Sequence, residues 1–213
     1  MQGGPLRLAA TAALILLWTA PVAGQNSWTS MLASRASTAR TKGAEEAPVF
    51  VYEFANFQCT HCAKFAKEVL PRIDSAFVRT GKVRWIFVHL PGPSHVNAWS
   101  AHEAAACAGA VGDRFWEMHD RLFATQADWA ESPDAREHFS RLAAELSIAP
   151  DEFARCVEED RVASILLQDV IFAASSRVSG TPSFLVNNQT TLLGLKSFDE
   201  WRDVLEKALK KRR

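Results

Sequence analysis

The sequence predicts an α/β fold in which two strand-containing halves enclose a block of helices. The first half alternates a short strand, a helix and a second strand between residues 47 and 88. Helical patterns without convincing strands follow from about 95 to 177, and the chain closes with two short strands and a helix. A strand, a helix and a strand in succession indicate a parallel crossover. We therefore expect a helical insertion between a βαβ half and a C-terminal ββα half.

The βαβ half begins with an apolar run rich in β-branched and aromatic residues, at 48–54, which is typical of a buried strand. A helix is predicted from about Thr60, because apolar residues recur there every four positions, at Phe65, Val69, Ile73 and Phe77. Gly81 ends this helix, and residues 83–88 supply the second strand.

The insertion divides into five predicted helices, separated by glycine, proline and polar segments: 95–110, 113–125, 134–147, 150–159 and 162–177. Two short strands follow at 181–187 and 191–195, and the turn-like run between them predicts a hairpin. A last amphipathic helix spans 198–210.

The N-terminal 24 residues have the pattern of a signal peptide that is removed. Arg7 precedes an apolar stretch from residue 8 to about 20, which is shorter than the roughly 20 residues that cross a bilayer. Pro21 breaks this stretch just before small residues suited to cleavage. The alternative is an uncleaved membrane tether. Either interpretation places the folded part in the periplasm or another extracytoplasmic compartment, where disulfides persist.

The remaining chain divides into a flexible N-terminal arm at 25–46, rich in Ser, Thr, Ala and charge, and one folded domain at 47–211. The full sequence has 213 residues, of which 48% are hydrophobic, enough for a substantial core. Its 24 basic and 24 acidic residues cancel, so the charge balance does not indicate a nucleic-acid partner.

Cys59 and Cys62 lie at the predicted junction between the first strand and its helix. At a helix start the first sulfur meets unpaired backbone N–H groups, which favour the reactive thiolate. The spacing therefore predicts a redox dithiol. A structural disulfide and half of a zinc site are the competing interpretations of two cysteines at this spacing.

The motif Cys59-Thr60-His61-Cys62, the acidic Glu53 six residues upstream and the distant run Gly180-Thr181-Pro182 together resemble the DsbA-like branch of the thioredoxin superfamily. The resemblance covers about residues 47–211 and implies a thioredoxin-like fold carrying a helical insertion. That branch usually has Pro-His or Pro-Tyr between the cysteines, so Thr60 is a departure that leaves the redox potential open.

The resemblance implies that Cys59 attacks and Cys62 resolves the mixed disulfide. His61 is expected to stabilise the Cys59 thiolate through a hydrogen bond or positive charge, the alternative being a solvated side chain. Glu53 is a candidate proton acceptor for Cys62 if it is buried, and a solvent-facing strand residue if it is not.

The resemblance also implies a cis peptide bond before Pro182, which would face the dithiol. In this family the backbone of the preceding residue, here Thr181, pairs with a substrate peptide. Cys107 and Cys156 fall in different predicted helices of the insertion, and we expect them to form a structural disulfide. Free buried thiols or a redox relay are the alternatives.

These features predict an exported thiol-disulfide oxidoreductase, most simply a dithiol oxidant that introduces disulfides into reduced or unfolded exported proteins. The active Cys59-Cys62 disulfide is the redox group, so no cofactor or metal is expected. A membrane redox partner would reoxidise the dithiol. A monomer is expected. No separate dimerisation domain is visible before residue 47, which weakens the isomerase alternative. The alternatives are a reductase or isomerase of the same fold and a non-catalytic binding module.

Overall fold

The computed structural model describes residues 23–211, and the side chains of residues 23–27 and of residue 190 lie outside this description. The predicted signal peptide therefore falls almost entirely outside the described residues. Within them, no helix is long and apolar enough to cross a bilayer.

A mixed five-stranded sheet forms the centre of the molecule. Its strands are β1 (Thr41–Lys42), β2 (Val49–Ala55), β3 (Val83–His89), β4 (Ser183–Val186) and β5 (Thr190–Leu193). They lie in the order β1-β3-β2-β4-β5. Strands β2 and β3 are parallel, as the predicted crossover requires, and every other pair is antiparallel. The observed architecture confirms the predicted fold class.

The five main helices of the insertion and the last helix closely follow the predicted spans. The helices of the structure are α1 (Ala23–Ala39), α2 (Thr60–Glu68), α3 (Leu70–Ile73), α4 (Ala98–Gly112), α5 (Phe115–Ala124), α6 (Gln126–Trp129), α7 (Ala135–Glu145), α8 (Pro150–Glu158), α9 (Ala163–Ser175) and α10 (Phe198–Lys210). Helices α4 to α9 make up the insertion between β3 and β4. The segment 126–133, predicted only as a separator, contains the short helix α6.

The single helix predicted after the dithiol is interrupted. It ends as α2 at Glu68, resumes as α3, and continues as a π-helical turn at Asp74–Val78. Pro71 has no N–H to donate to the turn before it, which breaks the regular hydrogen-bond pattern. The apolar stripe nevertheless persists, and its members remain buried against β2 and β3.

Residues 25–46 do not form the expected flexible arm. Most of them belong to α1 and β1, and Leu32 and Ala36 are buried in the core of the insertion. The prediction failed because this helix contains few apolar residues. Its small residues allow it to approach α4 closely. A Cβ added at Gly109 would lie 2.9 Å from the Ala39 Cβ.

Two further contacts attach this N-terminal segment to the domain. Arg40 and the buried Asp169 form an ion pair that joins the end of α1 to α9. Gly43 follows β1 with a φ of +91°, and a Cβ there would lie 2.3 Å from the Val83 carbonyl oxygen. Only glycine fits this turn and this close approach.

Candidate active site

The two cysteines lie at the start of α2, directly after the loop that follows β2, and they differ in burial. Cys59 is the N-cap of α2, with extended backbone (φ −83°, ψ 123°), and its side chain is partly exposed. Cys62 lies in the first turn of the helix and is completely buried. Both are free thiols in this structure. Only Cys59 is therefore open to attack by a large substrate.

The acidities of the two thiols move in opposite directions. The pKa of Cys59 is lowered to about 5, chiefly by a hydrogen bond with the Cys62 side chain. Partial burial opposes this shift, while the Thr181 side chain and the backbone N–H groups of Cys62 and His61 add to it. Burial raises the pKa of Cys62 well above its usual value, and the neighbouring Cys59 raises it further. The pair thus holds one thiolate and one thiol at neutral pH.

Glu53 lies inside the protein, on the face of β2 that packs against α2. It is fully buried, and its Oε2 accepts a 2.7 Å hydrogen bond from the Trp85 indole N–H. Its Oε1 has no hydrogen-bond partner among the described residues. Burial raises the pKa of Glu53 to about 7, although the Trp85 hydrogen bond and the positive charge of Lys42 lower it in part. The carboxyl is poised to gain or lose a proton near neutral pH.

Lys42 reaches this region from the edge strand β1. It pairs with Trp85 in the β1–β3 register, and its Nζ lies 4.1 Å from the centroid of the Trp116 ring. Residues directly opposite each other in an antiparallel pair project to the same side of the sheet. The N-terminal segment thus brings a cation towards the buried carboxyl of Glu53.

The strand β4 is preceded by the peptide bond between Thr181 and Pro182, which is cis. The Cys59 Sγ lies 3.5 Å from the Thr181 carbonyl oxygen, across 122 positions of sequence. The Pro182 carbonyl accepts a 2.8 Å hydrogen bond from the Gly194 N–H, which fixes this corner against the end of β5. The fold therefore brings together the dithiol and the Thr-Pro pair that the sequence singled out.

Comparison with known proteins agrees with this arrangement. The sequence model of the Thioredoxin family matches residues 35–207. This chain belongs to the thioredoxin family. Within it, the chain is a DsbA-like protein, which confirms the resemblance seen in the motifs.

Individual relatives of this DsbA-like chain differ in how much of their length they share with it. The chain is 38% identical to the Na(+)/H(+) antiporter NhaA 3 of Salinispora tropica over 149 residues, 70% of this chain but 21% of the antiporter. It is 25% identical to disulfide bond formation protein D of Bacillus subtilis over 79% of this chain and 76% of that protein.

Among solved structures, α-DsbA1 of Wolbachia pipientis superposes on this DsbA-like chain with a TM-score of 0.73. The superposition covers 81% of this chain and 92% of the Wolbachia protein, at 22% sequence identity. The two proteins share a fold.

His61 does not occupy the expected place in this DsbA-like site. Its side chain is exposed, and among the described residues the imidazole makes no hydrogen bond. The contribution of His61 to the Cys59 pKa comes from its backbone N–H. The structure therefore corresponds to the solvated alternative for the ring, because the first turn of α2 directs this side chain outward.

A set of amide side chains, which no sequence motif indicated, ties the loop before Cys59 to the insertion. Gln126, at the start of α6, donates through Nε2 to the carbonyl oxygens of Phe57 (2.6 Å) and Cys59 (3.1 Å). The buried Gln58 donates to the Ala130 carbonyl at 2.7 Å. These contacts span about 70 residues of sequence, so no local pattern could predict them.

The same loop is supported from α4. Asn97, just before this helix, donates to the carbonyls of Trp129, Ala130 and Ser132, and its own N–H donates to Gln58. We refer to Gln58, Asn97 and Gln126 as the amide clamp. It joins the reactive loop to the two sides of the insertion.

Three histidines are completely buried beside this loop: His89, His102 and His119. The Phe57 N–H donates to His102 Nε2 at 3.4 Å, and the Nδ1 atoms of His102 and His89 are 2.9 Å apart. Burial lowers the pKa of each of the three. No group of three potential metal ligands occurs within residues 23–211.

The second cysteine pair lies within the insertion. Cys107 of α4 and Cys156 of α8 form a disulfide with an S–S distance of 2.02 Å, and both residues are fully buried. This bond links two helices of the insertion across 49 positions of sequence.

Proposed function

We propose that this protein is an exported thiol-disulfide oxidoreductase that introduces disulfides into reduced proteins through Cys59 and Cys62. The observation that carries the proposal is the asymmetry of the pair: a partly exposed thiol of pKa about 5 beside a fully buried one whose pKa is raised. A low-pKa thiolate is a good leaving group, which favours transfer of the disulfide to another protein.

In the first step, a client thiolate attacks the Cys59 sulfur of the oxidised protein. A client–Cys59 disulfide forms, the Cys59–Cys62 bond breaks, and Cys62 leaves with the electron pair. Because its pKa is raised, Cys62 takes up a proton at once. Glu53, with a pKa near 7 on the face of β2 towards α2, is the group we assign to supply that proton.

In the second step, another client thiolate attacks the client sulfur of the mixed disulfide. The client disulfide forms, and Cys59 leaves as the stable thiolate. The client has lost two electrons and the dithiol has gained them. A membrane redox partner then accepts these electrons and restores the Cys59–Cys62 disulfide, while Glu53 accepts the Cys62 proton.

Client binding is assigned to the corner formed by Thr181 and Pro182. The Thr181 carbonyl lies beside the reactive sulfur, so an extended client segment paired with this backbone would bring its own thiol to Cys59. We propose a monomer acting on unfolded or reduced exported proteins, with no cofactor beyond the redox-active disulfide.

Export of the domain is part of the proposal. The apolar segment at 8–20 has signal-peptide character, and a mature chain beginning near residue 25 would follow its removal. The buried Cys107–Cys156 disulfide supports an oxidising compartment. A tether formed by an uncleaved segment is the alternative.

A glutathione redox titration of the purified protein tests the direction of electron flow. We expect a potential at or above the range of about −180 to −210 mV found in an oxidising folding compartment. A potential well below this range would contradict the oxidant role and favour a reductase.

Trapping of clients tests whether the protein is an enzyme at all. A Cys62→Ala variant, expressed in an exporting host, should accumulate mixed disulfides between Cys59 and client proteins. The matched control is the Cys59→Ala variant, which should accumulate none because Cys62 is buried. Absence of trapped clients in both variants would favour a non-catalytic binding module.

A further inference from the structure

We infer that Gln126 is a positioning residue for the Cys59 thiolate, acting from the helical insertion on the peptide that joins Cys59 to α2. The inference rests on the proposed function and adds to it a role for the insertion. It concerns how the thiolate is stabilised, and it does not depend on which client or redox partner the protein uses.

The contact of Gln126 with the reactive residue is direct. Its Nε2 lies 3.1 Å from the Cys59 carbonyl oxygen and 2.6 Å from the Phe57 carbonyl oxygen. The Cys59 carbonyl also accepts the first helical hydrogen bond, from the Ala63 N–H at 3.0 Å. One bond comes from within the helix and the other from the insertion, so together they fix the direction of this carbonyl.

The direction of the Cys59 carbonyl matters because it determines how α2 starts. The Cys59 carbonyl and the Thr60 nitrogen belong to one planar peptide group, so holding the oxygen sets ψ of Cys59 and the orientation of the first turn. The N–H groups of His61 and Cys62 in that turn are hydrogen-bond donors to the Cys59 sulfur. A rotated peptide would turn these donors away from the sulfur.

Among the described residues, no side chain forms a capping hydrogen bond at the start of α2. The start of α2 is therefore held by Gln126 of the insertion. Gln126 in turn lies on α6, which is anchored in the core. Trp129, at the other end of α6, is fully buried, and its indole N–H donates to the Leu122 carbonyl at 2.9 Å. The amide is thus carried by an anchored helical turn.

The test is the pH titration of thiolate absorbance at Cys59 in the reduced full-length protein. Gln126→Met keeps the length of the side chain and removes both donors. We expect the pKa of Cys59 to rise by about 0.5 unit or more, since hydrogen bonds to a thiolate favour the charged form. At pH 5 the rate of Cys59 alkylation should fall accordingly.

The matched control is Asn97→Ala. Asn97 is another member of the amide clamp; its side chain bonds three carbonyls of the insertion, and Cys59 is not among its hydrogen-bond partners within the described residues. We expect this variant to lose stability towards urea while the Cys59 pKa stays within about 0.2 unit of the wild type. The two readouts separate positioning of the thiolate from general loosening of the insertion.

An unchanged Cys59 pKa in Gln126→Met, with only a loss of stability like that of Asn97→Ala, would overturn the inference. If Gln126→Met does not fold, Gln126→Glu takes its place; the ionised carboxylate has no proton to donate, and its charge should raise the pKa still more. Because thiolate absorbance requires no client, a failed positioning role would leave the oxidoreductase proposal intact. If the Cys59 pKa shifts in Gln126→Met but the wild-type protein does not oxidise clients, the result would instead count against the proposed function.

Discussion

Cys59 and Cys62 are three positions apart, yet one is held as a thiolate and the other as a thiol. The difference follows from where α2 begins: the N-cap lies at the surface beside free backbone N–H groups, while the next turn enters the core. Glu53 adds a carboxyl that titrates near neutral pH in the adjoining strand. Burial thus separates the chemical roles of groups that lie close together in the fold.

At the same scale, Lys42 should tune Glu53. The positive charge of Lys42 lowers the pKa of this carboxyl, so Lys42→Met, which removes the charge and keeps most of the side-chain length, should raise it above about 7. A ¹³C NMR titration of the Glu53 side-chain carboxyl, assigned with Glu53→Gln, measures the shift directly.

Lys64→Met is the control for this prediction, because Lys64 is exposed on α2 and its loss changes the net charge by the same amount. It should leave the Glu53 titration nearly unchanged. Equal shifts in the two variants would mean that net charge, and not the placement of Lys42, governs the carboxyl.

The sequence identified the residues whose chemistry is tied to a local motif. Cys59 and Cys62 are marked by their spacing, and Pro182 by the Gly180-Thr181-Pro182 run that carries the family resemblance. Gln126 and Lys42 carry no such mark, since their contacts with the site are formed by the tertiary fold. His61 illustrates the converse: proximity in sequence suggested a contact that the geometry of the helical turn does not make.

At the scale of elements, the apolar periodicity predicted most boundaries to within a few residues, and α10 was predicted at its observed span. Two departures have physical causes. Among its described side chains, the N-terminal helix buries only a few small or apolar ones, such as Leu32 and Ala36, and its sequence resembles a linker. The apolar repeat did not predict the break after α2, because it continues across Pro71.

The insertion should depend on its disulfide for stability. Replacing Cys107 and Cys156 with serine opens a loop of 49 positions, which in the chain-entropy account costs about 4 kcal/mol of unfolding free energy, with about 2–4 kcal/mol typical in practice. Urea unfolding of the oxidised protein and the double variant measures this difference.

The Cys59 titration provides the internal control for the double variant, because the second pair makes no contact with the dithiol among the hydrogen bonds of the described residues. We expect the same Cys59 pKa in both proteins. A stability loss below about 1 kcal/mol would show that packing of α4 against α8, and not the covalent link, holds the insertion.

Across the whole molecule, buried titratable groups give stability two opposing dependences on pH. His89, His102 and His119 have lowered pKa values, so their contribution is complete above about pH 6.5 and is lost as the pH falls. Glu53 and Glu103 have pKa values raised from 4.5 to about 7, so their contribution is complete below pH 4.5 and is lost as the pH rises to 7. The two trends partly offset each other between pH 4.5 and 6.5.

Glu103→Gln should reveal the second trend. Glu103 is buried in α4, where burial is the main cause of its raised pKa and Asp160 adds to it, whereas Arg136 opposes it. The glutamine variant no longer has a carboxyl that resists ionisation. Its stability relative to the wild type should therefore increase from pH 4.5 to pH 7.5, as measured by urea midpoints at the two values.

Glu206→Gln, at an exposed position in the middle of α10, is the comparison variant and should show little change between the two pH values. If the stability of Glu103→Gln relative to the wild type were the same at both, Glu103 would have to ionise as readily in the folded protein as in the unfolded chain.

The margins of the sheet have a consequence for a protein proposed to handle unfolded chains. An outermost strand with free backbone groups is a template on which another chain can polymerise. Here the two outermost strands, β1 and β5, have two and four residues. These short edges offer few unpaired backbone groups, so an unfolded polypeptide cannot stay paired to the sheet for long. Short pairing favours release of the client and protects the protein from joining aggregates of its own clients.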